Sequence, residues 1–220
     1  MNKFLITILS TVCLFMFLFG FACNKPDKNN NGGNNAGIKR YTMEAEYINL
    51  DGISGGGHSS EASGVDMIYG DGTDDQKAKG WSNGYFVAFT HREGVEFEFI
   101  FNSAEAATGV TIVLRVGSEM GALTFSPSSF SINLNGDELE YGNMSIAHSP
   151  ILGDMVFADK TVATTAKLVK GENVLKLKVL ANDLAGGTTA GPIIDCVKIT
   201  TAAKLTWTDK TENPDNRGGI

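Results

Sequence analysis

Alternating apolar and polar side chains are the feature of this sequence that most constrains its fold. Residues 95–101 read Val-Glu-Phe-Glu-Phe-Ile-Phe, and residues 110–116 carry an apolar side chain at every second position. Successive side chains of a strand point to opposite faces, so this period predicts antiparallel strands with one buried and one solvated face. Similar runs recur about every ten residues between turn residues, without a convincing helical period. The sequence therefore predicts an all-β sandwich of antiparallel strands.

Turn residues predict two hairpins within this pattern. An Asn-Gly pair at residues 135–136 separates two strand-like runs, and this pair is the strongest short hairpin signal. The runs 161–168 and 173–180 flank a Lys-Gly-Glu-Asn turn. We expect these two runs to pair with each other as well.

The N-terminal residues predict export from the cytoplasm. A positive start and an uncharged apolar run at residues 4–21 are typical of a signal peptide, here residues 1–22. The small residues before Cys23 resemble the lipobox of bacterial lipoproteins, which implies cleavage by signal peptidase II and lipidation of Cys23. An uncleaved anchor or a cut elsewhere is the alternative. We expect the protein in the bacterial cell envelope, lipid-anchored at the outer membrane or the cell surface.

The remaining sequence divides into three segments. Residues 23–40 are rich in Asn and Gly and predict a flexible tether, because they offer little apolar surface to bury. Residues 41–201 contain the strand pattern, and residues 202–220 predict a polar C-terminal tail. Once the signal peptide is removed and Cys23 is lipidated, Cys196 is the remaining thiol, so we expect no intrachain disulfide.

Charge and motif content argue against several functions. The net charge is −7 over 220 residues, and the chain has no basic stripe of the kind that nucleic-acid binding requires. Its three histidines are isolated, and no metalloprotease motif, nucleophile elbow or phosphate-binding loop occurs. Glu96 and Glu98 share one strand face, where a solvated sheet surface is a better explanation than a glycosidase pair. We therefore expect a protein that is not an enzyme.

Three carboxylates are candidates for a metal site. Glu44 and Glu46 are two residues apart in the predicted first strand, so both side chains project to one face. Asp195 lies in the last strongly apolar run, where a carboxylate needs a partner. If the first and last strands pair, the three side chains meet, and a hard divalent cation with oxygen ligands would offset their repulsion. The alternative is a solvated edge, with Asp195 bonded to backbone amides.

The order of the motifs resembles the carbohydrate-binding modules of families 6 and 35. The matching pieces are Glu-Ala-Glu at 44–46, Ser-Asn-Gly-Tyr-Phe-Val at 82–87, Gly-Val-Glu-Phe at 94–97, Asn-Leu-Asn-Gly at 133–136, Gly-Glu-Asn-Val-Leu at 171–175 and Gly-Pro-Ile-Ile-Asp at 191–195. This resemblance covers residues 41–201 and implies a jelly-roll-like β-sandwich. It also implies a structural calcium ion held by Glu44, Glu46 and Asp195.

The same resemblance implies a sugar site in the loops at one end of the sandwich, built from two aromatic rings and an amide. By position, Trp81 or Tyr85 corresponds to the first ring, Phe157 to the second and Asn182 to the amide, with Asp183 as a further hydrogen-bonding group. Ring faces stack on the C–H groups of a pyranose, and an amide offers both donors and an acceptor to hydroxyls. The alternative is that Tyr85 and Phe157 pack inward.

These expectations combine into one functional prediction. The chain is predicted to bind a polysaccharide or oligosaccharide without catalysis, as an envelope protein held at the membrane by a lipid anchor. The alternative is an interaction lipoprotein that uses the same sandwich to contact another envelope protein.

Overall fold

In a computed structural model of the chain, the described residues are 37–56, 61–90, 92–118, 121–149, 151–181, 191–208 and 210. The predicted signal peptide, the lipidation residue Cys23 and most of the predicted tether lie outside these residues. Asn182 and Asp183 lie outside them as well. No helix of the described part is long and apolar enough to span a bilayer.

The described chain is built almost entirely from β-strands. In chain order they are β1 (Lys39–Glu44), β2 (Ser54–Gly56), β3 (Glu61–Ser63), β4 (Ile68–Gly70), β5 (Tyr85–Val87), β6 (Glu96–Ser103), β7 (Ala107–Gly117), β8 (Leu123–Phe125), β9 (Phe130–Leu134), β10 (Asp137–Glu138), β11 (Met144–Ile146), β12 (Ala158–Leu168), β13 (Gly171–Val179), β14 (Ile193–Thr201) and β15 (Leu205–Trp207). One short helix, α1 (Asp74–Ala78), lies between β4 and β5. Turns of 3₁₀ helix cover Ala45–Tyr47, Gly64–Met67, Ser82–Gly84 and Leu152–Asp154.

Two antiparallel sheets form the sandwich. The six-stranded sheet has the order β12-β7-β14-β5-β4, with β1 also paired to β14, and the five-stranded sheet has the order β10-β9-β13-β6-β15. The alternation read from residues 95–101 has the expected effect, because Phe97, Phe99 and Phe101 enter the core between the sheets while Glu96 and Glu98 face outward. The predicted all-β sandwich is confirmed.

One of the two predicted hairpins is confirmed and the other is wrong. β9 and β10 pair around Asn135 and Gly136, and both of these residues have the positive φ that such a two-residue turn requires. By contrast, β12 pairs with β7 in one sheet, whereas β13 pairs with β6 and β9 in the other. The buried side chain of Asn173 bonds to both backbone groups of Val169 and so holds this crossing between the sheets.

The first and last strands of the domain each pair with a strand of one sheet. β1 pairs with β14, and Glu44 lies opposite Cys196, so the predicted pairing of the first and last strong strands is confirmed. Residues 205–207, which belong to the predicted polar tail, form the strand β15, and this strand pairs with β6. The ring of Trp207 meets that of Tyr47 edge to face at 6.0 Å, which fixes this last strand against the chain that follows β1.

Candidate functional site

The three predicted carboxylates lie together around the turn Ser82–Gly84. β1 ends at Glu44, and the chain continues as the 3₁₀ turn Ala45–Tyr47, which buries Glu46 completely at 0 % exposure. The expectation that a continuous strand carries both glutamates is therefore wrong. Ala45 packs into the core at this bend, and the side chains of Glu44 and Glu46 both reach the turn Ser82–Gly84.

Hydrogen bonds from this turn engage one side of each carboxylate. Ser82 donates from Oγ to Oε1 of Glu44 at 2.9 Å and from its backbone N–H to Oδ1 of Asp195 at 3.0 Å. Asn83 donates from Nδ2 to Oε1 of Glu46 at 3.0 Å. The second oxygens, Oε2 of Glu44 and Oε2 of Glu46, are buried and have no hydrogen-bond partner among the described residues.

Burial makes the charged forms of these groups unfavourable. Loss of solvation raises the pKa of Glu46 to about 8, and the neighbouring charges of Glu44 and Asp195 act in the same direction. Burial likewise raises the pKa of Asp195 to about 8, again with a contribution from Glu44. The pKa of Glu44 is also raised by burial. A cation placed among these groups would reverse all three shifts.

Arg115 supplies a positive charge that the sequence analysis missed. Its Nε lies 2.8 Å from Oδ2 of Asp195, and its Nη1 lies 3.1 Å from Oδ1 of Asp159. Lys198 completes the row, with Nζ 2.8 Å from Asp159. These residues lie on β7, β14 and β12, so they form a charged ladder across the outer face of the six-stranded sheet. The sequence signal for this charge is the arginine itself, because it interrupts the apolar run at residues 110–116 and so needs a partner.

The residues fit a cation unequally. Glu44 and Glu46 each keep a buried carboxylate oxygen without a partner in the described chain, which is the condition a bound cation would relieve. Both oxygens of Asp195 are already engaged by Ser82 and Arg115. Among the described residues, no group of three or more Asp, Glu, His or Cys side chains has the arrangement of a metal site. The role of Asp195 as a calcium ligand stays a prediction.

A second group of residues, the outer aromatic cluster, covers part of the outer face of the same sheet. It consists of Tyr69, Trp81, Phe86 and Phe157. The ring of Tyr69 stacks on that of Phe86 at 5.2 Å, and the ring of Phe157 is tilted against Phe86 at 5.1 Å. Phe86 is buried, whereas Tyr69 and Phe157 are partly exposed. The cluster therefore presents two rings to solvent on a buried aromatic base.

The predicted sugar-binding residues have different positions in the structure. Trp81 is only 2 % exposed and donates from Nε1 to the carbonyl of Met155, so it belongs to the buried part of the outer aromatic cluster. Tyr85 is 4 % exposed and packs in the main core. Phe157 is half-buried at the cluster surface. In this conformation Phe157 is the predicted aromatic residue that is accessible to a ligand.

Tyr69 is a candidate that the sequence analysis missed. β4 pairs with β5, and Tyr69 lies opposite Phe86, which brings the tyrosine next to the base of the cluster. The position of Tyr69 depends on the pairing of β4 with β5, which the loop containing α1 separates in sequence. A local sequence pattern does not predict such a pairing.

The segment before β12 borders the outer aromatic cluster. Ile151 is 58 % exposed and Val156 is 62 % exposed, although both are large apolar residues. Lys79 ties this segment to the loop after α1, because its ammonium donates to the carbonyl of Gly153, lies 3.3 Å from Oδ1 of Asp154 and sits 5.5 Å from the ring centroid of Trp81. The segment that leads to Phe157 thus carries two exposed apolar side chains and one charged pair.

Comparisons with known proteins found similar solved structures. No family model matches the chain, and no curated protein does. A family 35 carbohydrate-binding module from Cellvibrio japonicus is similar, with a TM-score of 0.46 and 15% identity over 78% of this chain and 99% of that one. One from Clostridium thermocellum gives a TM-score of 0.44 and 15% identity over 73% of this chain and 97% of that one.

A third solved structure is a family 35 module in complex with a glucuronic acid containing disaccharide. It gives a TM-score of 0.45 and 15% identity, over 76% of this chain and 96% of that one. These solved modules are of the type that the motif order resembles. The disaccharide is a ligand of the module in which it was found.

Proposed function

We propose that this chain binds carbohydrate without catalysis, as the folded part of a lipid-anchored envelope protein. The observation that carries the proposal is the pair of partly exposed rings, Tyr69 and Phe157, supported by the buried ring of Phe86. A base of this kind fixes both rings before a ligand arrives, which lowers the ordering cost of binding. The proposal also agrees with the motif order of the sequence.

Recognition would combine stacking with a few hydrogen bonds. The exposed part of each ring can cover the C–H face of a pyranose, which buries apolar area. Lys79 and Asp154 can bond hydroxyls at the rim, since both have solvent-exposed side chains. The predicted amide Asn182 and the carboxylate Asp183 belong to the same proposal. A shallow surface with so few polar contacts gives weak affinity for a single sugar chain.

Calcium is part of the proposal and has a structural role. Glu44 and Glu46 would hold it through the carboxylate oxygens that have no partner among the described residues. A bound calcium ion would neutralise buried negative charge between the end of β1 and the turn that precedes β5. The position of Ser82–Gly84 would then be fixed, and with it the loop that ends in Trp81.

Binding is tested by isothermal titration against a panel of plant and microbial polysaccharides. Tyr69→Ala and Phe157→Ala are each expected to lower the affinity about tenfold or more through the loss of stacking. Tyr69→Phe keeps the ring and should retain most of the affinity. Val169→Ala is the matched control, because Val169 is exposed and lies at the far end of β12. Silence of the wild-type chain across the panel would contradict the proposal.

Anchoring is tested separately in cells. The wild-type chain should be found in the membrane fraction and should incorporate a labelled fatty acid. Cys23→Ser should abolish the label and release the chain from membranes. Labelled protein that is unaffected by this substitution would contradict lipidation at Cys23. Capture of an envelope protein by a chain that ignores every sugar would favour the interaction function instead.

A further inference from the structure

Basic side chains collect at the end of the sandwich where the chain enters it. β1 begins at Lys39, which lies opposite Thr201 at the end of β14, and Arg40 follows. Lys167 lies at the end of β12, and Lys170 lies in the crossing to β13. Lys204 precedes β15, and its carbonyl accepts the backbone N–H of Ala104. We call Lys39, Arg40, Lys167, Lys170 and Lys204 the basic end.

The basic end differs from the rest of the surface in its pairing. Within the described residues, none of its side chains has a carboxylate partner, whereas each lysine of the charged rows on the sheets, such as Lys176 and Lys198, does. Glu105, Asp137 and Glu172 lie at the same end and leave it net positive. This is unusual on a chain whose net charge is −7. Unpaired cations of one sign favour an anionic partner.

A depression within the basic end has the lining of an anion site. It has a volume of about 330 Å³ and lies between β6, β15 and the crossing to β13. Lys170 and Lys204 contribute to its wall, and Asn102 and Thr206 add an amide and a hydroxyl. Ammonium, amide and hydroxyl groups together are suitable donors for the oxygens of a phosphate group.

The position of this end in the chain indicates which anions it meets. Residues 24–38 separate Cys23 from Lys39, the first residue of β1, and 15 residues of chain span at most about 50 Å when fully extended. If Cys23 is lipidated, as proposed above, the basic end contains the first strand residues that follow the lipid anchor along the chain. We propose that the basic end docks on the phosphate groups of anionic lipids in the membrane that anchors the chain.

Docking in this way would orient the sugar-binding surface. β12 runs from Ala158, next to Phe157, to Leu168 at the basic end, and 11 residues of strand extend roughly 35 Å. The outer aromatic cluster would therefore be directed away from the bilayer. Docking would orient the sandwich on the membrane without a second lipid chain.

The proposal is tested with the chain from Cys23 onward, coupled through Cys23 to a maleimide lipid in nanodiscs. The buried Cys196 is protected from this reagent. Hydrogen exchange of residues 167–171 and 202–206 is measured in phosphatidylcholine discs and in discs that also contain phosphatidylglycerol. We expect exchange to slow severalfold with phosphatidylglycerol, and we expect the effect to vanish in about 1 M NaCl, where the Debye length is about 3 Å.

Charge reversal locates the docking surface. Lys170→Glu combined with Lys204→Glu should abolish the slowing. Lys160→Glu is the matched control, because Lys160 also lacks an ion pair in the described chain but lies at the opposite end of β12; it should behave as wild type. Equal exchange in both discs, or equal loss in the control, overturns the proposal. If exchange slows when polygalacturonate is added to phosphatidylcholine discs but does not slow with phosphatidylglycerol, the basic end binds acidic polysaccharide, and the proposal is overturned.

Chemical coupling separates this test from the function proposed above. The lipid is attached in every sample, so a failure of natural lipidation does not change the expected exchange rates. The docking surface does not include Tyr69 or Phe157. Variants of these residues that no longer bind sugar should therefore dock normally. A chain that docks on the discs but carries no lipid in cells would disprove the lipid anchor at Cys23. The affinity of the basic end for anionic lipid would still be established.

Discussion

Asp195 is fully buried with a pKa of about 8, and at a pH above this value its charge is balanced within the chain by Arg115 at 2.8 Å. Removal of one member of a buried ion pair leaves the other charge without compensation, which typically costs about 3–5 kcal/mol. We expect Arg115→Met to lower the free energy of unfolding by about this amount. Adding Asp195→Asn should recover part of it, because the remaining amide is neutral. Chemical denaturation of the two single variants and the double variant measures the coupling, and strict additivity would contradict it.

Glu46 is the residue at which the calcium proposal is most directly tested. A ligand that binds only the folded chain, at about a hundredfold excess over its Kd, stabilises by about 2.7 kcal/mol. For a domain of this size we expect calcium to raise the Tm by about 5–10 °C. Glu44→Gln and Glu46→Gln should lose this response, whereas Glu98→Gln on the other sheet should keep it. A Tm of the wild-type chain that ignores both calcium and chelator would contradict the proposal.

The same residue makes the calcium-free chain sensitive to pH. Burial raises the pKa of Glu46 from 4.5 to about 8 in the folded state. The neutral acid is thus favoured by folding, and its contribution is complete below pH 4.5 and is lost as the pH rises through 8. In calcium-free buffer we expect the Tm to fall between these values. Glu46→Gln should flatten that fall, and a wild-type Tm that rises over this range would contradict the assignment.

At the scale of elements, the loop between β4 and β5 depends on a close approach of two glycines. A Cβ on Gly84 would lie 2.7 Å from Cα of Gly72, and the φ of Gly84 is +81°. We expect Gly84→Ala to destabilise the chain by about 2–4 kcal/mol, since strain and overlap add. Gly52→Ala is the matched control, because its φ is +77° but nothing lies within 4 Å. Thermal melts that show equal losses would contradict a role for the contact.

Local patterns explain which elements could be predicted from the sequence. The alternation at residues 95–101 predicts a strand with one buried face, and Asn135 with Gly136 predicts a turn, because both signals act over a few residues. Neither signal says which sheet a strand joins. The crossing after β12 was therefore read as a hairpin, although the buried amide of Asn173 holds it in another form.

The candidate site was predictable only where the sequence pattern carried the long-range contact. The meeting of Glu44 with Asp195 followed from pairing the first and last strong strands. Arg115 was missed because its partner Asp195 is remote in sequence, and Tyr69 was missed because a loop separates it from Phe86. Phe157 was selected by a family resemblance, and its partial exposure depends on how the segment before β12 packs. Contacts of this kind are decided by the folded chain as a whole.

At the scale of the whole molecule, the last strand forms one edge of the five-stranded sheet and contacts the turn that follows β1. β15 covers the edge of β6, and Trp207 contacts Tyr47. Ending the chain after Lys204 removes this strand and the burial of Leu205 and Trp207, each of which contributes about 2 kcal/mol. We expect a loss of about 3–5 kcal/mol in unfolding free energy and a tendency to associate through the uncovered edge. Ending the chain after Lys210 keeps every described contact of β15 and should melt as the full chain does. If the two truncations melt at the same temperature, β15 does not contribute to the sandwich.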